Sequence, residues 1–421
     1  MNKNIKRLLL LFALGLAYGF MYTLPYMSRT FYDQMIAAMG VTNAQLGSLL
    51  SIYALACTLS YLPGGWIADK FKPKTVLIFS VFGNAALCFL LMMTYKNFLM
   101  VKFVWFGVAL TGGFAFWPAL LKGIRSLGTD EEQGKIFGIF EGMNGLASLL
   151  INFIMIYVLS LFADDLLLGF KGAVATMGIL CIIAGILIII LFDEKLTYGT
   201  GEEEDAPKLN AKGFIQVLKL PAVWIVAIMM FAQVTFIAGM SYLTPYSTNV
   251  LGLSLAIAGS IATLRNYATR FIGGPIGGYV SDTMLKSASK GQVLSLSLCA
   301  ISMALLLLIP AGSTALIVGV MFFVAISLYM AKGPLYAVVS ELNVPTAVTG
   351  TALAIITIIG YLPDMFVYTM FGNWLDTYGD AGYNRIFIFT IAVTAVSVVV
   401  ALVSANLAAK YRKEEIGLDR K

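Results

Sequence analysis

Residues 63–74 read PGGWIADKFKPK, and residues 275–282 read PIGGYVSD. Each stretch closes an apolar run of about 20 residues, enough to cross a bilayer as a helix. Each sets glycines and an aromatic residue ahead of an aspartate at the polar end of that run. Two further pairs keep the same order. Tyr22-Thr-Leu-Pro-Tyr26 is echoed by Tyr242-Leu-Thr-Pro-Tyr246, and Trp117-Pro118 by Gly333-Pro334. Three echoes in one order predict a chain built from two copies of one helical unit.

Composition agrees with that reading. Of 421 residues, 59% are hydrophobic and 12% charged, whereas soluble domains carry about 25% charged residues. Twelve apolar segments are long enough to span a bilayer, near 8–36, 44–68, 74–95, 98–121, 135–163, 168–192, 222–249, 254–281, 292–310, 314–342, 348–374 and 384–410. Lys3, Lys6 and Arg7 followed by LLLLFALGLAYG resemble a secretory leader. The apolar run continues to Pro25 and eleven more segments follow, so a first transmembrane helix fits better. Cys57, Cys88, Cys181 and Cys299 all lie inside apolar runs, with neither disulfide nor metal spacing. No cofactor motif is present. The absence of histidine excludes histidine proton relays and histidine-based catalytic triads.

Basic residues set the expected orientation. With the N-terminus in the cytoplasm, 20 of the 28 Lys and Arg fall in cytoplasmic segments and 5 on the opposite side. Both termini are therefore expected in the cytoplasm. The net charge of +6 reflects this asymmetry and is not a nucleic-acid signal, because the basic residues cluster at helix ends. The long polar stretch DEKLTYGTGEEEDAPKLNAKG begins at Asp193. It divides the chain into an N-terminal six-helix bundle (1–192), a cytoplasmic linker (193–221) and a C-terminal six-helix bundle with a short basic tail (222–421). The expected fold is an all-α membrane protein of twelve transmembrane helices in two pseudo-symmetric bundles.

This plan, with Gly65-Trp-Ile-Ala-Asp69-Lys70-Phe-Lys72-Pro-Lys74 after the second span, resembles the major facilitator superfamily. Here Lys72 stands where that family's loop has a glycine, and the second copy, Gly278 to Asp282 followed by Lys286, is looser. The resemblance implies alternating access around a midplane site. It also implies gating roles for Asp69, Lys70 and Asp282, the alternative being helix capping and topology. Spans 1, 4, 7 and 10 would line a central cavity, with spans 2, 5, 8 and 11 also facing it.

Three cations stand inside apolar spans: Arg265 and Arg270 in span 8, and Lys332 in span 10. A cation at a helix centre costs about 2.5–3.5 kcal/mol on insertion scales, so each needs a partner, a ligand or a watery cavity. Arg270 is 12 residues before Asp282, roughly 18 Å along an α-helix, near the midplane. Lys332 is 12 residues before Val344, at similar expected depth. Five residues turn an α-helix by about 140°, so Arg265 should leave the face of Arg270. That face also carries Asn266 and Tyr267. Arg265 is expected to pair with Asp364 of span 11, either statically or during the cycle.

Tyrosines stand near these cations at helical spacing: Tyr329 and Tyr336 around Lys332, Tyr22 and Tyr26 in span 1, Tyr242 and Tyr246 in span 7, and Tyr361 in span 11. A buried tyrosine hydroxyl needs a hydrogen-bond partner. The stripes therefore suit a polar or oxyanionic solute, with ordinary packing as the alternative. Arginine suits planar oxyanions, and lysine adds a point charge. The leading expectation is a secondary transporter of a small organic anion (carboxylate, sulfonate, or phosphorylated or sugar-acid type), held by Arg270 and Lys332. The resemblance to organophosphate:phosphate antiporters is incomplete, because span 7 lacks a central arginine. Nitrate porters share an arginine in span 8, but this chain lacks their span 2 arginine.

Glu141 of span 5, with Asn144 and Ser148 along its face, either carries a proton or pairs with Lys122 or Arg125. A proton-coupled exporter of cations or drugs using Glu141 and Asp364 is the rival reading, and a transporter-like sensor is another. No nucleophile–base arrangement supports an enzyme. The expected partners are a small anionic substrate, the lipid bilayer and a coupling ion (H+, Na+ or a counter-anion). No nucleic acid is expected, and the protein should be a monomer in the bacterial inner membrane.

Overall fold

The computed structural model describes residues 3–127, 133–162, 164–193, 216–310, 312–345 and 348–418, and within these the side chains of all but 3–4, 61–69, 133–135 and 414–418. The side chain of Asp69 and most of the expected linker lie outside the described residues. Every regular element among the described residues is helical.

The chain forms two compact units, Met1–Glu204 with Ser254–Thr263, and Asp205–Leu253 with Leu264–Lys421. The first unit contains α1 (Lys3–Thr23), the short α2 (Tyr32–Met39), α3 (Asn43–Lys70), α4 (Pro73–Thr94), α5 (Phe98–Ala109), α6 (Trp117–Arg125), α7 (Gln133–Leu161) and α8 (Leu166–Leu191). The second begins with α9 (Pro221–Ser241) and α10 (Leu243–Asn249). The next helix, α11 (Leu255–Thr263), groups with the first unit. The second unit resumes with α12 (Thr269–Tyr279), α13 (Ala288–Leu308), α14 (Thr314–Lys332), α15 (Ala337–Glu341), α16 (Thr349–Gly360), α17 (Val367–Tyr378) and α18 (Ala381–Leu418).

Among the described residues, ten helical runs are long and apolar enough to cross a membrane, or eleven if α2 and Asn43–Ser60, which meet at 108°, form one broken span. This is a multi-pass membrane protein. The expected eighth span, which runs through α11, a π-helical turn at Leu264–Ala268, α12 and a second π turn at Val280–Met284, is not among the ten.

Local chemistry sets the boundaries. Asn97 accepts from the amides of Leu99 and Met100 to start α5, Asp165 accepts from Leu168 to start α8, and Ser287 accepts from Lys290 to start α13. Pro73 and Pro221 occupy first helical turns, where a missing N–H costs nothing. Inside a helix the same residue interrupts the ladder. Pro118 has no N–H to offer the carbonyl four residues back, and the π turn Leu110–Phe116 ends just before it. The Gly333-Pro334 step likewise follows the end of α14 at Lys332.

Candidate functional site

In the second unit α12 packs on α14 backbone to backbone. A Cβ on Gly273 would lie 2.7 Å from the Ile326 carbonyl oxygen, and one on Gly277 would collide with the backbone of Met330. Only glycine permits this approach. The contact fixes the register of the two helices and corrects one expectation. Gly273 lies beside Tyr329 and Gly277 beside Met330, so Lys332 is level with about residues 276–279 and sits roughly 9–13 Å further along the axis than Arg270 at 1.5 Å per residue. The expected equal depth assumed unbroken helix from Lys332 to Val344, but α14 stops at Lys332 and a turn precedes α15. Both cationic side chains are exposed.

The end of α14 is held by two buried amides. Gln292 donates to the Ala331 carbonyl at 2.6 Å, and Gln233 donates to the same oxygen at 3.2 Å and to Gln292 Oε1 at 3.0 Å. Helices α9 and α13 therefore anchor the backbone immediately before Lys332. Sequence reasoning missed both glutamines. Their signal was faint: a polar amide in an apolar span, with no charge to draw notice.

Arg265 sits in the π turn and is fully enclosed, at 0% exposure. Its Nη2 donates to Thr244 Oγ1 at 3.0 Å. Its Nε and Nη1 are buried without a hydrogen-bond partner among the described residues. The hydrogen bond thus goes to α10 and not to Asp364, the expected partner. Two breaks account for the difference. The i→i+5 turn shifts helix phase, and Asp364 lies in a 3-10 turn, Leu362–Met365, where span 11 was counted as unbroken helix. Asn266 is also buried, not on an open face with Arg270. Tyr267 is half-buried, and the Tyr329 hydroxyl donates to the Asn266 carbonyl at 2.6 Å.

The other tyrosines divide by role. Tyr242 and Tyr246 belong to the core. The Tyr242 hydroxyl donates to the Tyr368 carbonyl at 2.8 Å, tying α9 to α17, and Tyr246 packs edge-on against Tyr383 and Phe387. Tyr336 and Tyr361 are exposed. In the first unit Tyr22 stacks on Tyr18 at 4.4 Å and donates to the Gly112 carbonyl of the π turn at 3.3 Å. Tyr26 lies under the Arg29 guanidinium, 3.9 Å from its ring centre, a cation–π contact.

Glu141 is exposed and heads a polar ladder along α7. Asn144 Nδ2 donates to Glu141 Oε2 at 3.4 Å, Ser148 to Asn144 Oδ1 at 3.4 Å, and Asn152 to the Ser148 carbonyl at 2.8 Å. Lys70 and Asp282 are exposed. A further cluster, not anticipated, closes one end of the second unit. Glu341 accepts from the Ser289 amide at 2.7 Å, in the first turn of α13, where a carboxylate is favoured. Arg412 reaches Glu341 at 3.7 Å and the Lys286 carbonyl at 2.9 Å. Among the described residues no group of His, Cys, Asp or Glu could hold a metal ion.

Comparison with known proteins adds to this geometry. The family model described as Major Facilitator Superfamily matches residues 8–368. The inner membrane protein YihN of Escherichia coli is 28% identical over 96% of this chain and 97% of its own length. The inner membrane protein YqcE of the same organism is 27% identical over 94% of each chain. Among solved structures, a bacterial homologue of the human lysosomal transporter Spinster, inward-facing and unoccupied, superposes with a TM-score of 0.77. It is 14% identical and covers 96% of this chain and 98% of that one.

Proposed function

Because this chain belongs to the Major Facilitator Superfamily, and so is a secondary transporter and not an enzyme, we propose that its substrate is a small organic anion. The observation that carries this reading is the placement of Arg270 and Lys332. They are exposed cations on two helices in direct backbone contact, α12 and α14, within otherwise apolar sequence. Their offset of roughly 9–13 Å suits a solute with an anionic end and a polar or second anionic end, and it extends the site along the transport path. A carboxylate, sulfonate or phosphate offsets the cost of holding such charges inside a membrane. Tyr267, Tyr329, Tyr336 and Tyr361 supply hydroxyls in the same unit, and Tyr22 and Tyr26 supply them in the other.

Transport proceeds by alternating access. Asp69, Lys70 and Asp282 serve as gate charges, and Glu141, paired to Asn144, is the group placed to carry a coupling proton. Twelve spans, both termini in the cytoplasm, a linker at 193–221 and a monomer complete the reading. The names of the two Escherichia coli relatives support the inner membrane as its location.

A thermal-shift screen of purified protein against sugar phosphates, sugar acids, sulfonates and dicarboxylates tests the proposal. At least one class should stabilise the wild type. Arg270→Gln and Lys332→Gln should each abolish that shift and the matching uptake, while membrane expression stays normal. Full transport by Arg270→Gln protein sinks the site. Stabilisation by organic cations alone sinks the anion reading in favour of a cation exporter.

A further inference from the structure

The buried cation that the transport reading leaves unused is Arg265. A guanidinium stays charged at any physiological pH, and enclosing one without an acceptor is strongly unfavourable. Here Nε and Nη1 are enclosed with no acceptor among the described residues, and the neighbouring Asn266 Nδ2 is a third buried donor in the same condition. Thr244 Oγ1 meets the guanidinium from α10, and Tyr329 holds the Asn266 carbonyl from α14. These donors lie in a π turn, a feature that recurs at functional sites.

We infer that Arg265, Asn266 and Thr244 form an oxyanion pocket inside the C-terminal unit, separate from Arg270 and Lys332. Adjacent donors without acceptors ask for a ligand rich in acceptors. The planar guanidinium matches the oxygens of a carboxylate, sulfonate or phosphate. That group is either the acid end of the transported solute or a free inorganic anion. The first source deepens the organic-anion reading and rests on it; the second does not.

The test is thermal unfolding of the purified full chain while sodium chloride is replaced by acetate, methanesulfonate, inorganic phosphate or glucuronate at constant ionic strength. At least one oxyanion should raise the melting temperature saturably in wild type. The midpoint should rise about tenfold in Arg265→Lys, which keeps the charge but loses the planar donors, and the response should vanish in Arg265→Gln. Should Arg265→Gln not fold, Thr244→Val must also raise the midpoint. Saturation by glucuronate alone identifies the acid group of a solute, and saturation by phosphate alone a free ion.

An unchanged midpoint in Arg265→Lys overturns the pocket, as does the lack of any oxyanion response in wild type. Recovery of stability by Arg265→Asp/Asp364→Arg over both single variants also overturns it, by making Asp364 the partner. A response lost in Arg270→Gln but kept in Arg265→Lys removes the pocket and leaves the transport reading standing. The reverse pattern, with organic-anion uptake unaltered in Arg270→Gln, removes the transport reading and leaves the pocket.

Discussion

Gln233 and Gln292 show how neutral side chains set the position of a charge. Both are buried, and both donate to the carbonyl of Ala331, the residue before Lys332. The helical ladder ends there, so the carbonyl needs donors from elsewhere, and an unmet buried carbonyl costs about 1–3 kcal/mol. Replacing Gln292 with leucine leaves Gln233 on that carbonyl, so the single variant should cost less than the full penalty of an unmet acceptor. Gln233→Leu should do the same, and the double variant, which leaves the carbonyl unmet, should lose about 1–3 kcal/mol, more than the two singles together. Melting temperatures of the four proteins in one detergent give the coupling directly. Strictly additive losses would mean that the two amides act independently. Neither residue stood out in the sequence, because an uncharged amide in an apolar span has no signature until its acceptor is located.

At the scale of the element, the glycines of α12 separate packing from propensity. A Cβ at Gly277 meets the backbone of Met330, whereas one at Gly278 meets nothing within 4 Å. Gly277→Ala should force α12 from α14 and lower both folded yield and melting temperature. Gly278→Ala should be neutral, or stabilising by about 0.5–1 kcal/mol through helix propensity. Equal behaviour of the two variants in size-exclusion profile and thermal unfolding would contradict the close-packed register from which the offset of Arg270 and Lys332 was read. The repeat PGGW/PIGG made these glycines visible in the sequence but not their individual roles. Helical spacing placed Tyr329 near Lys332, and it also placed Asn266 on the face of Arg270. The second inference failed because the i→i+5 turn at Leu264–Ala268 breaks the 3.6-residue count. Asp364 lies in a 3-10 turn, Leu362–Met365, within a span expected to be helical throughout. Regular segments were legible, and the irregular turns that carry the buried charges were not.

At the scale of the whole molecule, the open question is whether residues 255–284 cross the membrane. Charge asymmetry and the internal repeat lead to the expectation that it does, yet among the described residues apolar length does not select this run. Arg265, Asn266 and Arg270 make it polar. Its helical pieces are contiguous from Leu255 through Met284. Its burden of polar side chains is what a span lining a polar site should carry, so polarity here argues for function and not against crossing. Ser254 and Thr283 are exposed at its two ends. Ser254→Cys and Thr283→Cys should react with a membrane-impermeant maleimide from opposite faces, Thr283→Cys from the face shared with the basic Lys286 and Lys290. Three of the native cysteines are buried and one is partly buried, so background labelling should be low. Labelling of both introduced cysteines from one face would make the segment re-entrant. The count would then become odd, the two termini would fall on opposite sides, and the symmetric pairing of PGGWIAD with PIGGYVSD would lose its structural meaning.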